Sequence, residues 1–186
     1  MHLDPRFPFH RTTAGRFILI TKRPADFAAI ANTNAILEAG CQADLIADLQ
    51  AHEIRDLARQ IGVAHKVVQK MRQAQGLAGY FDIAEQPAPL RLQYMVIGRF
   101  HRQVTVIAQQ PISLARVGGT GILVEDDTDV LASFTAWLNN NTSRSAAEAL
   151  GTSQGRMTAL RKFLAGRGYE WLRAKPPGPG RPGFGT

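Results

Sequence analysis

Apolar residues recur at three- and four-residue steps along most of this chain, the spacing of one helix face. Phe27, Ile30, Asn34 and Leu37 follow Pro24-Ala25-Asp26, which predicts a helix capped by Asp26 and ended by Gly40. Leu45, Ile46 and Leu49 predict a second helix over 44–51. Ile54, Leu57, Ala58 and Ile61 predict a third over 52–60, and Val67, Val68 and Met71 a fourth that runs out near Gly76. Further on, Leu131, Phe134, Trp137 and Leu138 mark a helix over 130–138. Asn139 to Ser143 stop it and cap the next, and a last helical pair spans Arg144 to about Ala165. Two stretches are ambiguous. Arg16 to Thr21 suits a short strand or part of a helix. Tyr94–Ile97 and Val104–Ile107 are rich in β-branched residues, yet Val96, Phe100, Val104 and Ile107 also share one helical face, and helix is expected over 90–109.

The same pattern occurs twice. Ala58, Ile61, Gly62, Val68 and Met71 recur 89 residues later as Ala147, Leu150, Gly151, Met157 and Leu160. A small residue four before a glycine lets two helices approach. The glycine takes a tight turn that a side chain would strain. The apolar residues that follow anchor the second helix and leave its other face free for a major groove. This is the spacing of a helix-turn-helix. The outward positions are Ala64, His65, Lys66, Gln69, Lys70 and Gln73 in the first unit, and Ser153, Gln154, Gly155, Thr158, Ala159 and Lys162 in the second. Gln can pair with adenine, Lys with guanine or phosphate, and Ser and Thr with either.

Charge separates the two units. Residues 1–87 hold 10 Lys/Arg against 9 Asp/Glu, net +1; residues 88–143 hold 4 against 4, net 0; residues 144–186 hold 8 against 2, net +6. The excess falls on the second unit and its tail, as on a nucleic-acid-binding face. Arg144, Arg156, Arg161 and Lys162 lie on or beside its helices, with Arg156, Arg161 and Lys162 expected on phosphates and Gln154 and Thr158 nearest the bases. Arg167, Arg173, Lys175 and Arg181 follow, suited to phosphates or a minor groove.

Other chemistry is weakly supported. The single cysteine, Cys41, reads as a small buried residue; it excludes an intrachain disulfide and is far from a zinc-finger or iron–sulfur ligand set. Gly118-Gly119-Thr120-Gly121 lacks a phosphate-loop lysine, and Glu125 to Asp129 reads as a helix start capped by Thr128 or Asp129 rather than a calcium loop. The five histidines are scattered, with no paired carboxylates beside them, so no enzyme, metal or cofactor is expected. No apolar run approaches the ~18–20 residues of a membrane span. Met1 to Pro8 has no signal-peptide stretch, and a cytoplasmic protein is expected.

Ile36 to Ile46, continuing through Leu49, Ile54, Leu57 and Ala58, resembles FlhD. Leu150 to Met157 with Leu160-Arg161-Lys162, followed by Pro176-Pro177-Gly178 and Phe184, resembles FlhC. Those two proteins form a heteromeric bacterial transcriptional activator, with relatives on integrating conjugative elements. The resemblance covers about 36–60 and 146–184 and implies a fused activator of a mobile-element or motility-type regulon. It also implies homo- or hetero-oligomers and RNA polymerase as a further partner. The zinc-binding cysteines of FlhC have no counterpart here. The expected fold is mainly α, with two helix-turn-helix modules joined by a linker of uncertain structure. The expected divisions are an N-terminal module over 1–87, a connecting segment over 88–128, a basic module over 129–175 and a Pro/Gly tail over 176–186. The expected function is a double-stranded-DNA-binding transcriptional regulator. The rival is a helical adaptor that meets protein instead.

Overall fold

The structure, a computed structural model, describes residues 9–79, 81–98, 102–117 and 119–166. The first half of the chain forms strands β1 (His10–Ala14), β2 (Phe17–Thr21), β3 (Phe27–Ala29) and β4 (Ala35–Glu38), then helices α1 (Gln42–Ala51), α2 (Ile54–Ile61) and α3 (His65–Ala74). The second half forms β5 (Gln93–Ile97), β6 (Val104–Ala108), β7 (Leu114–Val117) and β8 (Ile122–Glu125), then α4 (Thr128–Asn139), α5 (Ser143–Leu150) and α6 (Gln154–Gly166).

The expectation of a mainly α chain is therefore overturned. The connecting segment of uncertain structure is in fact four strands, and the helix expected over 26–40 is the hairpin β3–β4. Its turn explains the error. Asn32 takes a left-handed φ of 60°, and the Thr33 hydroxyl donates to Ile30 O at 2.8 Å while accepting from Ala35 N at 3.0 Å. That closure reverses the chain between Phe27 and Leu37, so their helical spacing is incidental. The helix expected over 90–109 fails for another reason. All five residues of β6 are buried, and the strand pairs with β4 on one side and β5 on the other. A strand covered on both faces loses its alternation and can mimic a helical stripe.

The strands form two mixed sheets, ordered β1-β2-β8-β7 and β3-β4-β6-β5. The central pairs, β2–β8 and β4–β6, are parallel, whereas β1–β2, β3–β4 and β5–β6 are antiparallel. Phe17, Leu19 and Leu123 of one sheet share a core with Phe27, Ile36, Val104 and Val106 of the other. Ala35, Leu37 and Ile107 point to the opposite face, where they pack with Leu45, Leu49, Leu57, Val68 and Met71 of α1–α3. Each of these Leu, Ile, Val and Met side chains contributes about 1.5–3 kcal/mol by leaving water. Two compact units result. The first comprises Met1–Arg116 with Gly121–Asp126, and so holds α1–α3; the second comprises Val117–Thr120 with Asp127–Thr186, and so holds α4–α6.

The repeat seen in the helical pairs extends through the whole order of elements: four strands and three helices occur twice. Adding 87 to Phe17–Thr21 gives Val104–Ala108, and adding 87 to Ala35–Glu38 gives Ile122–Glu125. The register obeys the same shift. Ile18↔Ile122 becomes Thr105↔Ala35, Leu19↔Leu123 becomes Val106↔Ile36, and Ile20↔Val124 becomes Ile107↔Leu37. Exchanging the copies thus converts one sheet into the other. The strands are interlaced, since each central pair joins a strand of one copy to a strand of the other. No helix among the described residues is long and apolar enough to cross a membrane.

Candidate nucleic-acid interface

In the second unit, Thr142 opens α5 with an extended backbone (φ −68°, ψ 157°), and its hydroxyl accepts from Ser145 N at 3.1 Å. Gly151 closes α5 in the left-handed region, φ 65° and ψ 40°, and Thr152 N donates to Ala147 O at 2.8 Å. An L side chain at Gly151 would find open space but a strained backbone. Ala146, Ala147 and Leu150 face inward from α5; Met157, Leu160 and Leu164 do so from α6. Burying that stripe leaves Ser153, Gln154, Gly155, Arg156, Thr158 and Lys162 exposed along the other face of α6. Arg156 Nη1 lies 3.3 Å from Thr152 Oγ1, and Thr158 Oγ1 lies 3.5 Å from Gln154 O. Arg144, on α5, is exposed and pairs with Glu148 at 3.1 Å. Such surface pairs are weak, so a phosphate can replace the glutamate at little cost.

Arg161 departs from this face. It is partly buried, and its Nη2 donates to Leu138 O at 2.5 Å and Asn141 O at 2.9 Å. Burial lowers its pKa. The guanidinium closes the C-terminal end of α4, where carbonyls lack partners within their own helix. A phosphate contact would require it to abandon both carbonyls. Arg167, Arg173, Lys175 and Arg181 lie outside the described residues, as does the Pro/Gly tail.

The first unit repeats the geometry. Glu53 caps α2, accepting from Arg55 N at 3.0 Å and Asp56 N at 3.2 Å. Gly62 closes it at φ 82°, ψ 33°, and Val63 N donates to Ala58 O at 3.0 Å. Val68 and Met71 are buried; Ala64, His65, Lys66, Gln69, Lys70 and Gln73 are exposed. Arg72 is the counterpart of Arg161, 89 residues earlier. Its Nε and Nη2 donate to Leu49 O at 2.9 and 2.5 Å, and Nη2 to His52 O at 2.6 Å. Those acceptors also stand 89 residues before Leu138 and Asn141. The arginine at this position is a structural tether in both copies. The expectation of a phosphate contact at Arg161 overlooks this equivalence, since the two arginines and their acceptors are related by the same shift.

Sequence reasoning also missed a group of cations in the first unit. Arg16, in the two-residue turn between β1 and β2, donates to Asn34 Oδ1 and lies 5.2 Å over the Phe17 ring. Arg116 has a lowered pKa, through burial first and then the charges of Arg16 and Arg102. Among the described residues, its Nη1 is buried and has no hydrogen-bond partner. Arg16 and Lys70 both line a cleft of about 620 Å³ beside the start of α3, together with Gly15, Asn32, Ala64 and Val67. The near-zero net charges of residues 1–87 and 88–143 thus conceal a local positive surface. No strong sequence signal marked it, because these arginines are far apart along the chain.

Among the described residues, no group of three or more His, Cys, Asp or Glu side chains is placed to hold a metal ion. No protein-family model, curated protein or solved structure was found to match the chain.

Proposed function

We propose that this protein is a sequence-specific, double-stranded-DNA-binding transcriptional regulator. The observation that carries this reading is the α5–α6 pair. It combines a capped first helix, a left-handed glycine turn and a second helix anchored by one buried stripe, with an exposed face of Ser153, Gln154, Arg156, Thr158 and Lys162. In the helix-turn-helix mode, the N-terminal residues of the second helix reach base edges and the flanking cations meet phosphates. Gln154 suits adenine and Thr158 either base type; Arg144, Arg156 and Lys162 suit the backbone. The tail cations Arg167, Arg173 and Lys175 extend that charge in the sequence. The resemblance to FlhD and FlhC favours an activator, acting in the cytoplasm beside RNA polymerase.

The test is duplex binding measured across a salt series. Affinity should fall steeply with salt, as it does when several phosphates are neutralised. Gln154→Ala should relax sequence preference, while Lys162→Ala should weaken all duplexes alike. A protein with no salt-sensitive duplex affinity that captures a protein partner would instead be a protein–protein adaptor, on an α/β rather than a helical scaffold.

A further inference from the structure

The duplication bears on what kind of DNA one chain reads. Many regulators obtain two reading heads by pairing identical chains, and they bind two identical half-sites. Here both copies occupy one chain, and their strands are interlaced in the parallel pairs β2–β8 and β4–β6. Neither copy completes a sheet without the other.

Within the helix-turn-helix pairs, the two copies share their turn and packed positions and differ at their outward ones. The turn glycines, the arginine tethers and the small residue at the helix crossing are the same: Gly62 and Gly151, Arg72 and Arg161, Ala58 and Ala147. The buried stripe stays apolar, with Val68 and Met71 in one copy and Met157 and Leu160 in the other. Six exposed or partly exposed positions differ throughout: Ala64 against Ser153, His65 against Gln154, Lys66 against Gly155, Gln69 against Thr158, Lys70 against Ala159, and Gln73 against Lys162. In the first copy Lys66, Gln69 and Lys70 are exposed, and Lys70 lines the cleft that also presents Arg16, so a second cationic face stands beside α3.

We infer that one chain occupies one bipartite operator, each helix-turn-helix reading its own half-site, and that the two half-sites differ in sequence. The inference rests on the DNA-reading function proposed above. The first half-site meets His65, Lys66, Gln69 and Lys70; the second meets Ser153, Gln154 and Thr158. Two linked heads gain affinity by effective concentration, so each contributes far more than its separate binding suggests.

Duplexes selected by the full chain from a pool with about 40 random base pairs, several turns at ~10.5 base pairs each, provide the probe. Footprinting and the mass of the complex should show one chain per duplex and two separate protected segments of unlike sequence. Gln69→Ala with Lys70→Ala should abolish one segment, and Gln154→Ala with Thr158→Ala the other. Either pair should weaken binding about 100-fold as the linkage advantage is lost. All four side chains are exposed, and an unchanged melting temperature would show that the variants fold. One protected segment indifferent to the α3 substitutions would overturn the inference and leave the function proposed above standing. Two chains on two identical segments would do the same. Absence of any salt-sensitive duplex affinity would remove both.

Discussion

The two helix-turn-helix units share a backbone plan and differ in how each is anchored and charged. The first packs α1–α3 on a sheet through Leu45, Leu49, Leu57, Val68 and Met71, and is tied further by Asp48. That buried carboxylate accepts from Arg91 N, Leu92 N and the Tyr94 hydroxyl, joining α1 to the segment that enters β5. At the position 89 residues later stands Trp137, which carries no carboxylate. The second unit concentrates charge instead, in residues 144–186 with net +6. The contrast teaches that a repeated motif can preserve its hinge and its tether while its anchoring and its reading face diverge.

The largest expected effect probes what the copies share. Arg72→Ala and Arg161→Ala each leave two carbonyls at a helix end without a charged donor, and each should cost about 3 kcal/mol of stability. Arg72 is the more buried and makes the additional Nε bond, so its loss should be the greater. Thermal or denaturant unfolding measures both. Once Arg161→Ala is compared at a temperature where it remains folded, its salt slope for DNA should match the parent. A slope lower by about one ion would return Arg161 to the phosphate face.

Next in size is the difference in DNA contact. Arg156→Ala with Lys162→Ala should weaken duplex binding about 30-fold, or ~2 kcal/mol. The salt slope should fall by about two ions, because both side chains are exposed on α6. Arg16→Ala with Lys70→Ala applies the same measurement to the first unit, and a similar fall in slope would make the units electrostatic equals. If neither pair changes the slope, the cationic faces have been misassigned.

What the sequence disclosed follows from how local each signal is. The helices after residue 40 were legible because caps and turn glycines act within one or two turns: Thr142, Gly62 and Gly151 stand where the spacing requires them. The strands were not, because pairing is a long-range property. Val104–Ile107 become the centre of a sheet only when β4, nearly 70 residues earlier, lies alongside. The Asn32-Thr33-Asn34 turn was the one local sign against a helix over 26–40. On the candidate interface, exposure of Gln154, Thr158 and Lys162 was predictable from the buried stripe. The role of Arg161 was not, since its partners lie at and just past the end of α4, some 20 residues earlier.

The Asp48 anchor gives a smaller, pH-dependent effect confined to the first unit. Burial, then the Asp48 carboxylate, raise the Tyr94 pKa far above its ordinary value. A phenol raised in the folded state contributes stability that is fully present below the unfolded pKa of about 10. Above it the unfolded chain loses a proton that the folded one keeps, so stability falls by about 1.4 kcal/mol per pH unit. Unfolding curves taken from pH 8 to 11 should show Tyr94→Phe losing less stability than the parent across that range. At neutral pH the variant should be slightly weaker, by about 1 kcal/mol, for want of the hydroxyl bond to Asp48. Equal alkaline slopes for variant and parent would remove Tyr94 from the account.

The finest distinction lies in the caps. Thr142 and Glu53 occupy equivalent places, and removing either to Ala should cost about 1 kcal/mol. Glu53 has a second effect that Thr142 lacks. Its carboxylate opposes the lowering of the Arg72 pKa by burial, whereas burial lowers the Arg161 pKa and the Thr142 cap carries no charge to oppose it. The cap and the tether are therefore coupled by charge in the first unit and independent in the second. A double-mutant cycle separates the two cases. Glu53→Ala with Arg72→Ala should show a coupling of about 0.5–1 kcal/mol, and Thr142→Ala with Arg161→Ala should be additive within about 0.3–0.5 kcal/mol. Thr142→Glu then transplants the charge. It should preserve the cap and create a coupling to Arg161 of the size found in the first unit. If the native cycles give equal couplings, the tethers are held by their carbonyls alone, and the difference in charge between the units does not extend to the arginines they share.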